Sequence, residues 1–255
     1  MQNWAGHGAI VTGGASGLGA ATARRLAEDG LKVTLFDRNA ELAESQAAAI
    51  GGAFAVVDVS DPASVAAGLD LAVEAHGTPR VLINCAGIGG AAKTVSRGAP
   101  HEFDLFERTI RVNLIGSFNC ASQVAARMVA AVPVGEDGAR GVIVNTASVA
   151  AFDGQVGQLA YAASKGGIVS MTLPMARDLA DKGVRVCTVA PGLFLTPLLH
   201  ELPEDVQVSL GAQVPFPSRL GDPAEYAELV SHITQNPMLN GEVIRLDGAI
   251  RMAPR

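Results

Sequence analysis

The stretch TGGASGLG, Thr12 to Gly19, decides the fold of this chain. It follows the apolar run GAIVT (8–12) and opens a helical pattern over 17–29. Its glycines have the spacing GxxxGxG, at Gly13, Gly17 and Gly19. Such glycines let the backbone approach a pyrophosphate, which then binds at the helix N-terminus. No lysine follows them, so the loop does not indicate hydrolysis of a nucleoside triphosphate. The strand–loop–helix order predicts a dinucleotide-binding site.

Apolar runs and helical patterns alternate along the rest of the chain. The runs that predict strands are 8–12, 32–37, 53–58, 80–85, 141–148, 184–190 and 242–247. The patterns that predict helices are 17–29, 40–49, 62–76, 101–131, 157–181 and 222–235, with a kink expected at Pro174. The runs lack polar alternation, which is typical of a parallel sheet buried on both faces. We expect a single-domain Rossmann fold over 1–255, with a doubly wound, seven-stranded parallel sheet flanked by helices.

Composition narrows the classes of partner. The 255 residues carry a formal net charge of −6 without a basic run, which disfavours nucleic acid or an anionic membrane as the main partner. The chain reaches its first strand too early for a signal peptide, and it has no apolar run long enough to cross a bilayer. We therefore expect a cytoplasmic protein, or one of the mitochondrial matrix in a eukaryote.

The cysteines and histidines do not predict a metal site. Cys85, Cys120 and Cys187 lie in apolar segments without paired spacing, as expected of reduced thiols. The histidines have no ligand spacing either, so no metal is assigned. Cys85 is expected to be a small core residue rather than a nucleophile.

Polar residues at the ends of the next strands predict contacts with the cofactor. Asp37 ends the second strand, where a carboxylate accepts hydrogen bonds from a ribose and repels a 2′-phosphate, which favours NAD(H) over NADP(H). The alternatives are that Asp37 caps the next helix, or that Arg38 favours the phosphate. After the third strand, Asp58 is placed to bond the adenine amino group and Val59 to pack on the ring.

The fourth predicted strand ends in the sequence NCAGIG. Asn84, Ala86 and Gly87 of this sequence are expected to line the cofactor cleft, because ligands of open α/β sheets bind at the carboxyl ends of the strands.

The sequence YAASK places Tyr161 four residues before Lys165. On a helix these two side chains share one face. A phenol titrates near pH 10, and a cation about 4 Å away recovers about the 4 kcal/mol that ionisation at pH 7 requires. The pair predicts a tyrosine base, against the alternative of an ordinary pair on a solvated helix face.

Together the glycine loop, NCAG, Asn113 in RVNLIG, Ser148 and YAASK resemble the short-chain dehydrogenase/reductase family across the whole chain. The resemblance implies that Tyr161 is the catalytic acid/base and that Ser148 polarises the substrate oxygen. Lys165 would bind the nicotinamide ribose and lower the pKa of Tyr161, and Asn113 would hold a water linking Lys165 to solvent.

The resemblance also implies the binding residues. For NAD these are Gly13, Ser16, Gly17, Leu18, Gly19, Asp37, Asp58, Val59, Asn84, Ala86, Gly87, Tyr161, Lys165, Pro191, Gly192 and Thr196. For the substrate they are Ser148, Gln155, Tyr161, Phe194 and Leu198, with Gln155 helping to hold the substrate carbonyl.

The apolar, proline-interrupted stretch 193–217 predicts a mobile lid over an apolar substrate, with core packing as the alternative. The catalytic, lid and C-terminal segments resemble family members that oxidise 3-hydroxyacyl-CoA esters of short or branched chain, such as 3-hydroxybutyryl-CoA and 2-methyl-3-hydroxybutyryl-CoA. This implies a homotetramer that serves fatty-acid or isoleucine degradation. A hydroxysteroid or secondary-alcohol dehydrogenase, and an NAD-bound scaffold subunit with incidental activity, stay open as alternatives.

The loop GGAAKTVSRGAPH (89–101) follows the fourth predicted strand and is long for the family. It should border the cleft. Its two cations, Lys93 and Arg97, could meet the phosphates of coenzyme A, or could belong to a plain solvated loop.

Overall fold

The computed structural model describes residues 1–200 and 203–254, apart from the side chain of Leu198. Its strands are β1 (Gly8–Thr12), β2 (Lys32–Asp37), β3 (Ala53–Val56), β4 (Pro79–Asn84), β5 (Val95–Ser96), β6 (Ala99–Pro100), β7 (Gly141–Thr146), β8 (Val184–Pro191) and β9 (Val243–Leu246). Seven of them form one parallel sheet in the order β3-β2-β1-β4-β7-β8-β9. This confirms the predicted doubly wound sheet.

The helices pack on both faces of the sheet. They are α1 (Gly17–Glu28), α2 (Ala40–Ile50), α3 (Pro62–His76), α4 (Phe103–Ile110), α5 (Gly116–Ala130), α6 (Ala150–Asp153), α7 (Leu159–Ala180), α8 (Pro197–His200), α9 (Glu204–Gly211) and α10 (Pro223–Gln235). Successive side chains of β1 enter opposite cores: Val11 packs with Leu26 of α1 and Val230 of α10, whereas Ile10 packs with Leu69 of α3 and Val124 of α5. Burial on both faces explains why the strand sequences are continuously apolar.

The strand order reverses between β1 and β4, which places the ligand crevice at their carboxyl ends. The ends are in register across the sheet, since Thr12 pairs with Asn84 and Asn84 pairs with Asn145. Loops that leave these strands therefore meet along one edge.

Two predicted strands end two residues earlier than expected, because polar side chains turn the chain. Asp58 accepts hydrogen bonds from the backbone and hydroxyl of Ser60, so β3 stops at Val56. Ser148 accepts a hydrogen bond from the backbone of Ala150 as α6 begins, so β7 stops at Thr146.

The single helix predicted over 101–131 consists of α4, a π-helical segment (Arg111–Ile115) and α5. The sequence also did not predict the β5–β6 hairpin, which bears Arg97 at its turn with φ of 50°. Helix α7 continues through Pro174 to Ala180. The carbonyl that loses its partner belongs to the exposed residue Ser170, where solvent can satisfy it. The kink stays a prediction.

The described part of the stretch 193–217 mixes buried and exposed apolar side chains, and its role as a lid stays a prediction. Phe194 and Val214 are buried, whereas Val208 and Phe216 are well exposed. Across the described part of the chain, no helix is long and apolar enough to cross a membrane.

Candidate active site

A cleft of about 720 Å³ opens at the carboxyl ends of β1, β4, β7 and β8. The glycine loop and Asp37 line one end of it, and Ser148, Tyr161 and Lys165 line the other. The structure thus brings the glycine motif and the YAASK pair, which are far apart in sequence, into one cavity.

The glycine loop leaves its backbone bare toward the cleft. A Cβ at Gly19 would collide with the carbonyl oxygen of Gly13, and one at Gly13 would lie 2.9 Å from the backbone of Ala86. Gly17 has φ of 53°, in the left-handed region. In the described structure the exposed Ser16 makes no side-chain cap to α1, so the first N–H groups of this helix are open to a ligand. The loop fits the pyrophosphate of a dinucleotide.

Asp37 is bound to the glycine loop. Its carboxylate accepts hydrogen bonds from the backbone N–H of Ala15 at 3.1 Å and of Asn39 at 3.0 Å. Asn39 itself caps α2 by accepting from Leu42, so the alternative that Asp37 is the helix cap is wrong. Asp37 and Arg38 both line the cleft. The carboxylate is therefore held in a fixed position at this end of the cleft, and its contact with a ribose stays a prediction.

The two residues predicted to contact adenine, Asp58 and Val59, lie outside the lining of the cleft. Asp58 has its Oδ2 atom 3.9 Å from Nε of Arg38, and hydrogen bonds from Ser60 lower the pKa of its carboxyl group. Val59 is buried against Gly116 of α5. Neither is among the described residues that line the cleft, and their contacts with adenine stay predictions.

The NCAG segment is divided between core and cleft. Asn84 is buried and donates to the Oδ1 of Asn145 at 2.9 Å and to the carbonyl of Ser117 at 3.2 Å, which corrects the expectation that its side chain lines the cleft. Ala86 lies behind the glycine loop, and Gly87 does line the cleft.

Ser148, Tyr161 and Lys165 form the catalytic end. Ser148 follows β7, and its hydroxyl group lies near enough to the phenol of Tyr161 on α7 to influence its pKa. Lys165 lies one turn after Tyr161, with Nζ 5.8 Å from the centre of the tyrosine ring. The Lys165 ammonium donates to the carbonyl of Thr146 at 2.7 Å and is buried. The solvated-face alternative is wrong for this pair.

Burial shifts the pKa values of both Tyr161 and Lys165. It raises the pKa of the Tyr161 phenol, and the Ser148 hydroxyl acts in the opposite direction. It lowers the pKa of Lys165 to about 8. The net pKa of Tyr161 is therefore raised, and the expectation that Lys165 lowers it stays a prediction.

Asn113 lies in the π segment behind the catalytic end and is fully buried. Its amide donates to the carbonyl of Ile88 at 3.0 Å and to the Ser164 hydroxyl at 3.1 Å, and it accepts from the backbone of Ile88 at 2.8 Å. Asn113 thus fixes the loop after β4 to α7, and its role in holding water stays a prediction.

The remaining predictions, of Pro191, Gly192 and Thr196 for the cofactor and of Phe194, Gln155 and Leu198 for the substrate, have three different outcomes. Pro191, Gly192, Phe194 and Thr196 line the cleft, and Phe194 also packs edge-on against Tyr226. The Gln155 side chain instead donates to the carbonyl of Ala253 at 2.9 Å and is not among the described residues that line the cleft, which corrects its expected placement. The prediction for Leu198 lies outside the described side chains.

Sequence reasoning missed a buried cluster beneath Lys165. The Thr146 hydroxyl lies 2.7 Å from the Tyr226 hydroxyl and 3.5 Å from the sulfur of Cys85. Cys85 lines the cleft, and burial raises the pKa of its thiol, which disfavours the nucleophilic thiolate. Gln158 and Met252 of the cleft lining were also missed, because nothing in their local sequence indicates a site.

The described residues contain no group of three or more His, Cys, Asp or Glu side chains that could hold a metal ion. A doubly wound sheet, a bare glycine loop at the switch point and a Ser–Tyr–Lys set at the far end of the cleft define an oxidoreductase with a nicotinamide cofactor. The chain belongs to the short-chain dehydrogenase family, whose family model matches residues 7–207.

Several proteins of known name are similar to this chain over nearly its whole length. The chain is 58% identical over 250 residues to 3-hydroxyacyl-CoA dehydrogenase type-2 of Bos taurus, covering 96% of this chain and 95% of that protein. It is 51% identical over 249 residues to the protein of the same name from Drosophila melanogaster, covering 96% and 97%. The crystal structure of 3-hydroxyacyl-CoA dehydrogenase type-2 from Mycobacterium avium superposes with a TM-score of 0.96, at 42% identity and 100% coverage of both chains.

Proposed function

We propose that this chain oxidises 3-hydroxyacyl-CoA esters of short or branched chain to 3-oxoacyl-CoA esters with NAD⁺. The observation that carries the reaction is the grouping of Ser148, Tyr161 and the buried ammonium of Lys165 at one end of the cleft. The substrate class is supported by full-length relatives that bear the name 3-hydroxyacyl-CoA dehydrogenase type-2.

Tyr161, Ser148 and Lys165 each have a separate role in the oxidation of the alcohol. The cofactor accepts the hydride that leaves the carbinol carbon. Tyr161, as phenolate, accepts the hydroxyl proton, and Ser148 donates a hydrogen bond to the oxygen on which negative charge develops. Lys165 contributes a positive charge near the phenolate, and such a charge favours the ionised form of the base.

The choice of NAD⁺ over NADP⁺ rests on Asp37. Its carboxylate is fixed by the backbone of Ala15 and Asn39, so it cannot easily turn away from an approaching 2′-phosphate. Arg38, a neighbouring cation that could favour the phosphate, has its Nε 3.9 Å from Oδ2 of Asp58. Like charges held close in a binding site cost several kcal/mol.

A coenzyme A ester suits the two sides of the cleft entrance. Leu193, Phe194 and Leu199 offer apolar surface for an acyl chain. Gly89, Gly90 and Ala91 line the other side and lead directly into the hairpin with Lys93 and Arg97, both exposed. Two exposed cations near the entrance could meet phosphates that a steroid or simple alcohol lacks.

A turnover screen tests the proposal. Purified enzyme is given NAD⁺ with 3-hydroxybutyryl-CoA, 2-methyl-3-hydroxybutyryl-CoA, a hydroxysteroid and a simple secondary alcohol, and NADH formation is followed. The acyl-CoA esters should have the highest kcat/KM. A far higher value for the steroid or alcohol would assign the enzyme to that alternative. No turnover of any substrate, together with a stable complex with other proteins, would favour the scaffold alternative.

The proposal extends to assembly and location. The edge strand β9 is partly exposed, and Ile115 at the end of the π segment and Phe118 on α5 are exposed apolar side chains. Such surfaces suit the closed symmetry of a homotetramer, which light scattering would test. A cytoplasmic or mitochondrial-matrix location fits the proposed pathway, and fractionation of the source cells would test it.

A further inference from the structure

The C-terminal tail, defined here as residues 248–254, turns back from β9 toward the segment that follows Ser148. The turn is fixed locally, since Ala249 has φ of 68° and its N–H donates to the carboxylate of Asp247 at 3.0 Å. Ile250 comes next and is only 2% exposed. The tail therefore enters the body of the protein instead of trailing into solvent.

Contacts on both sides of Met252 tie the tail to residues 153–156. Before it, Arg245 donates to the carbonyl of Ile250 at 3.0 Å and to the carboxylate of Asp153 at 2.6 Å. After it, the Gln155 amide donates to the carbonyl of Ala253, and the N–H of Val156 donates to the carbonyl of Pro254 at 3.0 Å. Because this segment begins five residues after Ser148, the backbone of Met252 is held in a fixed relation to the catalytic end.

The side chain of Met252 completes the substrate end of the cleft. It lines the cavity together with Ser148, Gln158 and Tyr161, and it is half-buried. An unbranched thioether packs against apolar groups of varied shape. A fixed backbone that bears such a side chain makes an apolar wall whose size sets the room beyond the reacting carbon.

We propose that Met252 determines the acyl-chain length that the enzyme accepts, and that Gln155 acts through the tail as a positioning residue. The proposal rests on the proposed function for the identity of the chain that meets this wall. It gives Gln155 a role different from the carbonyl contact that family resemblance implies.

The test compares kcat/KM for 3-hydroxydecanoyl-CoA and 3-hydroxybutyryl-CoA. Met252→Ala should raise the long-to-short ratio about tenfold, and Met252→Phe should lower it, because one methylene in an apolar pocket changes specificity by at least that factor. The KM for NAD⁺ should not change. Met252→Leu, which conserves volume, should keep the wild-type ratio. Met238→Ala is the matched control, since Met238 is 91% exposed and does not line the cleft. An unchanged ratio in Met252→Ala would overturn the proposal that Met252 limits the acyl-chain length.

Gln155→Leu tests the positioning role. If Gln155 holds the tail, this variant changes the same ratio in the same direction as Met252→Ala, and the double variant adds little to either. If Gln155 holds the substrate carbonyl, kcat falls equally for both esters and the ratio stays constant. That second result would overturn the positioning role.

The experiments distinguish failure of the proposed substrate class from failure of the proposal that Met252 limits chain length. Wild-type enzyme that oxidises no acyl-CoA ester disproves the proposed substrate class. The ratio of 2-decanol to 2-butanol oxidation in the same variants then tests the wall: the same change supports it, and no change overturns it.

Discussion

The two sides of the cleft differ in how they are built. The floor, formed by Gly13, Thr146, Ser148 and Lys165, stands on or beside the fully buried strands β1, β4 and β7. The rim consists of the hairpin segment 89–101, the stretch 193–217 and the tail, and every residue of the hairpin strands is exposed. The floor is held by a continuous core, whereas the rim is held largely by hydrogen bonds between loop segments and by isolated buried side chains such as Phe194.

This difference predicts that the floor determines the chemical step and that the rim determines which substrate is preferred. A change in the floor should affect every substrate alike, because all substrates need the same base and the same cofactor. A change in the rim should affect one substrate more than another and leave the cofactor kinetics intact. Active-site loops on a rigid scaffold commonly divide their work in this way.

The largest expected effect is that of Tyr161→Phe in the floor. Turnover of every substrate should fall by about 10²–10⁴-fold, since the proton acceptor is lost, while NADH affinity stays close to wild type. Stopped-flow rates and NADH fluorescence titration measure the two quantities. The other tyrosine of the chain supplies the control: Tyr226→Phe removes a fully buried hydroxyl that does not line the cleft, and it should retain most activity. Substantial turnover by Tyr161→Phe would mean that another group is the base.

Ser148→Ala should also affect all substrates, and it should change the pH profile. Loss of the donor to the developing alkoxide should reduce kcat by about 10²–10³-fold. The Ser148 hydroxyl lowers the pKa of Tyr161, so its loss should raise that pKa and move the rise of kcat/KM to higher pH. Ser148→Thr, which keeps the hydroxyl, should restore the profile. A profile that moved to lower pH would contradict this assignment.

Asp37→Ala tests the cofactor end of the floor. Wild-type enzyme should prefer NAD⁺ over NADP⁺ by about a hundredfold in kcat/KM, and the variant should narrow the gap chiefly by losing affinity for NAD⁺. Glu41→Ala removes an exposed carboxylate from the start of α2 and should leave the preference intact. Equal use of both cofactors by the wild type would mean that Arg38 outweighs Asp37.

Lys165→Met should make the protein more stable as well as inactive. Burial lowers the pKa of Lys165 from 10.5 to about 8, which costs about 3 kcal/mol of folding free energy at pH 7. Part of the gain is offset by the unpaired carbonyl of Thr146, so about 2 kcal/mol should appear in urea unfolding. Because the folded protein loses this proton as pH rises through about 8, the gain should shrink between there and pH 10.5. Lys32→Met, at an exposed lysine, should show neither effect.

The smallest expected effect is that of removing two positive charges from the rim. Lys93→Ala combined with Arg97→Ala should raise KM for acyl-CoA several-fold, because two charges that face phosphates are lost, and should leave a simple alcohol unaffected. The exposed pair Arg24 and Lys32, neither of which lines the cleft, supplies a charge-matched double control. An equal change for both substrate types would disprove the phosphate contact and leave the assignment to acyl-CoA standing.

The floor was predictable from sequence because it depends on local patterns. Continuous apolar runs gave the seven strands, and the glycine loop and YAASK stand at fixed places relative to them. The predicted strands ran too far at 53–58 and 141–148, since Asp58 and Ser148 form turns that apolar runs do not show.

The rim could not be predicted in the same way, because long-range contacts decide it. Gln155 lies close to Ser148 in sequence, yet its amide bonds a carbonyl 98 residues further along the chain. Met252 faces the cleft only because the tail turns back after β9. The orientation of Asn84 likewise depends on its partner across the sheet, Asn145.

The π segment Arg111–Ile115 also has a genetic consequence. A π turn is an α-helix that carries one extra residue, so the loss of a single codon there would let an unbroken α-helix form. Deletion of Asn113 itself would leave α4 in nearly its present orientation relative to α5, because the wider π turn already takes up the extra residue, but it would remove the contacts with Ile88 and Ser164. An in-frame lesion of three nucleotides could therefore improve the local helix geometry while it breaks the link between the loop after β4 and α7, the helix that bears Lys165.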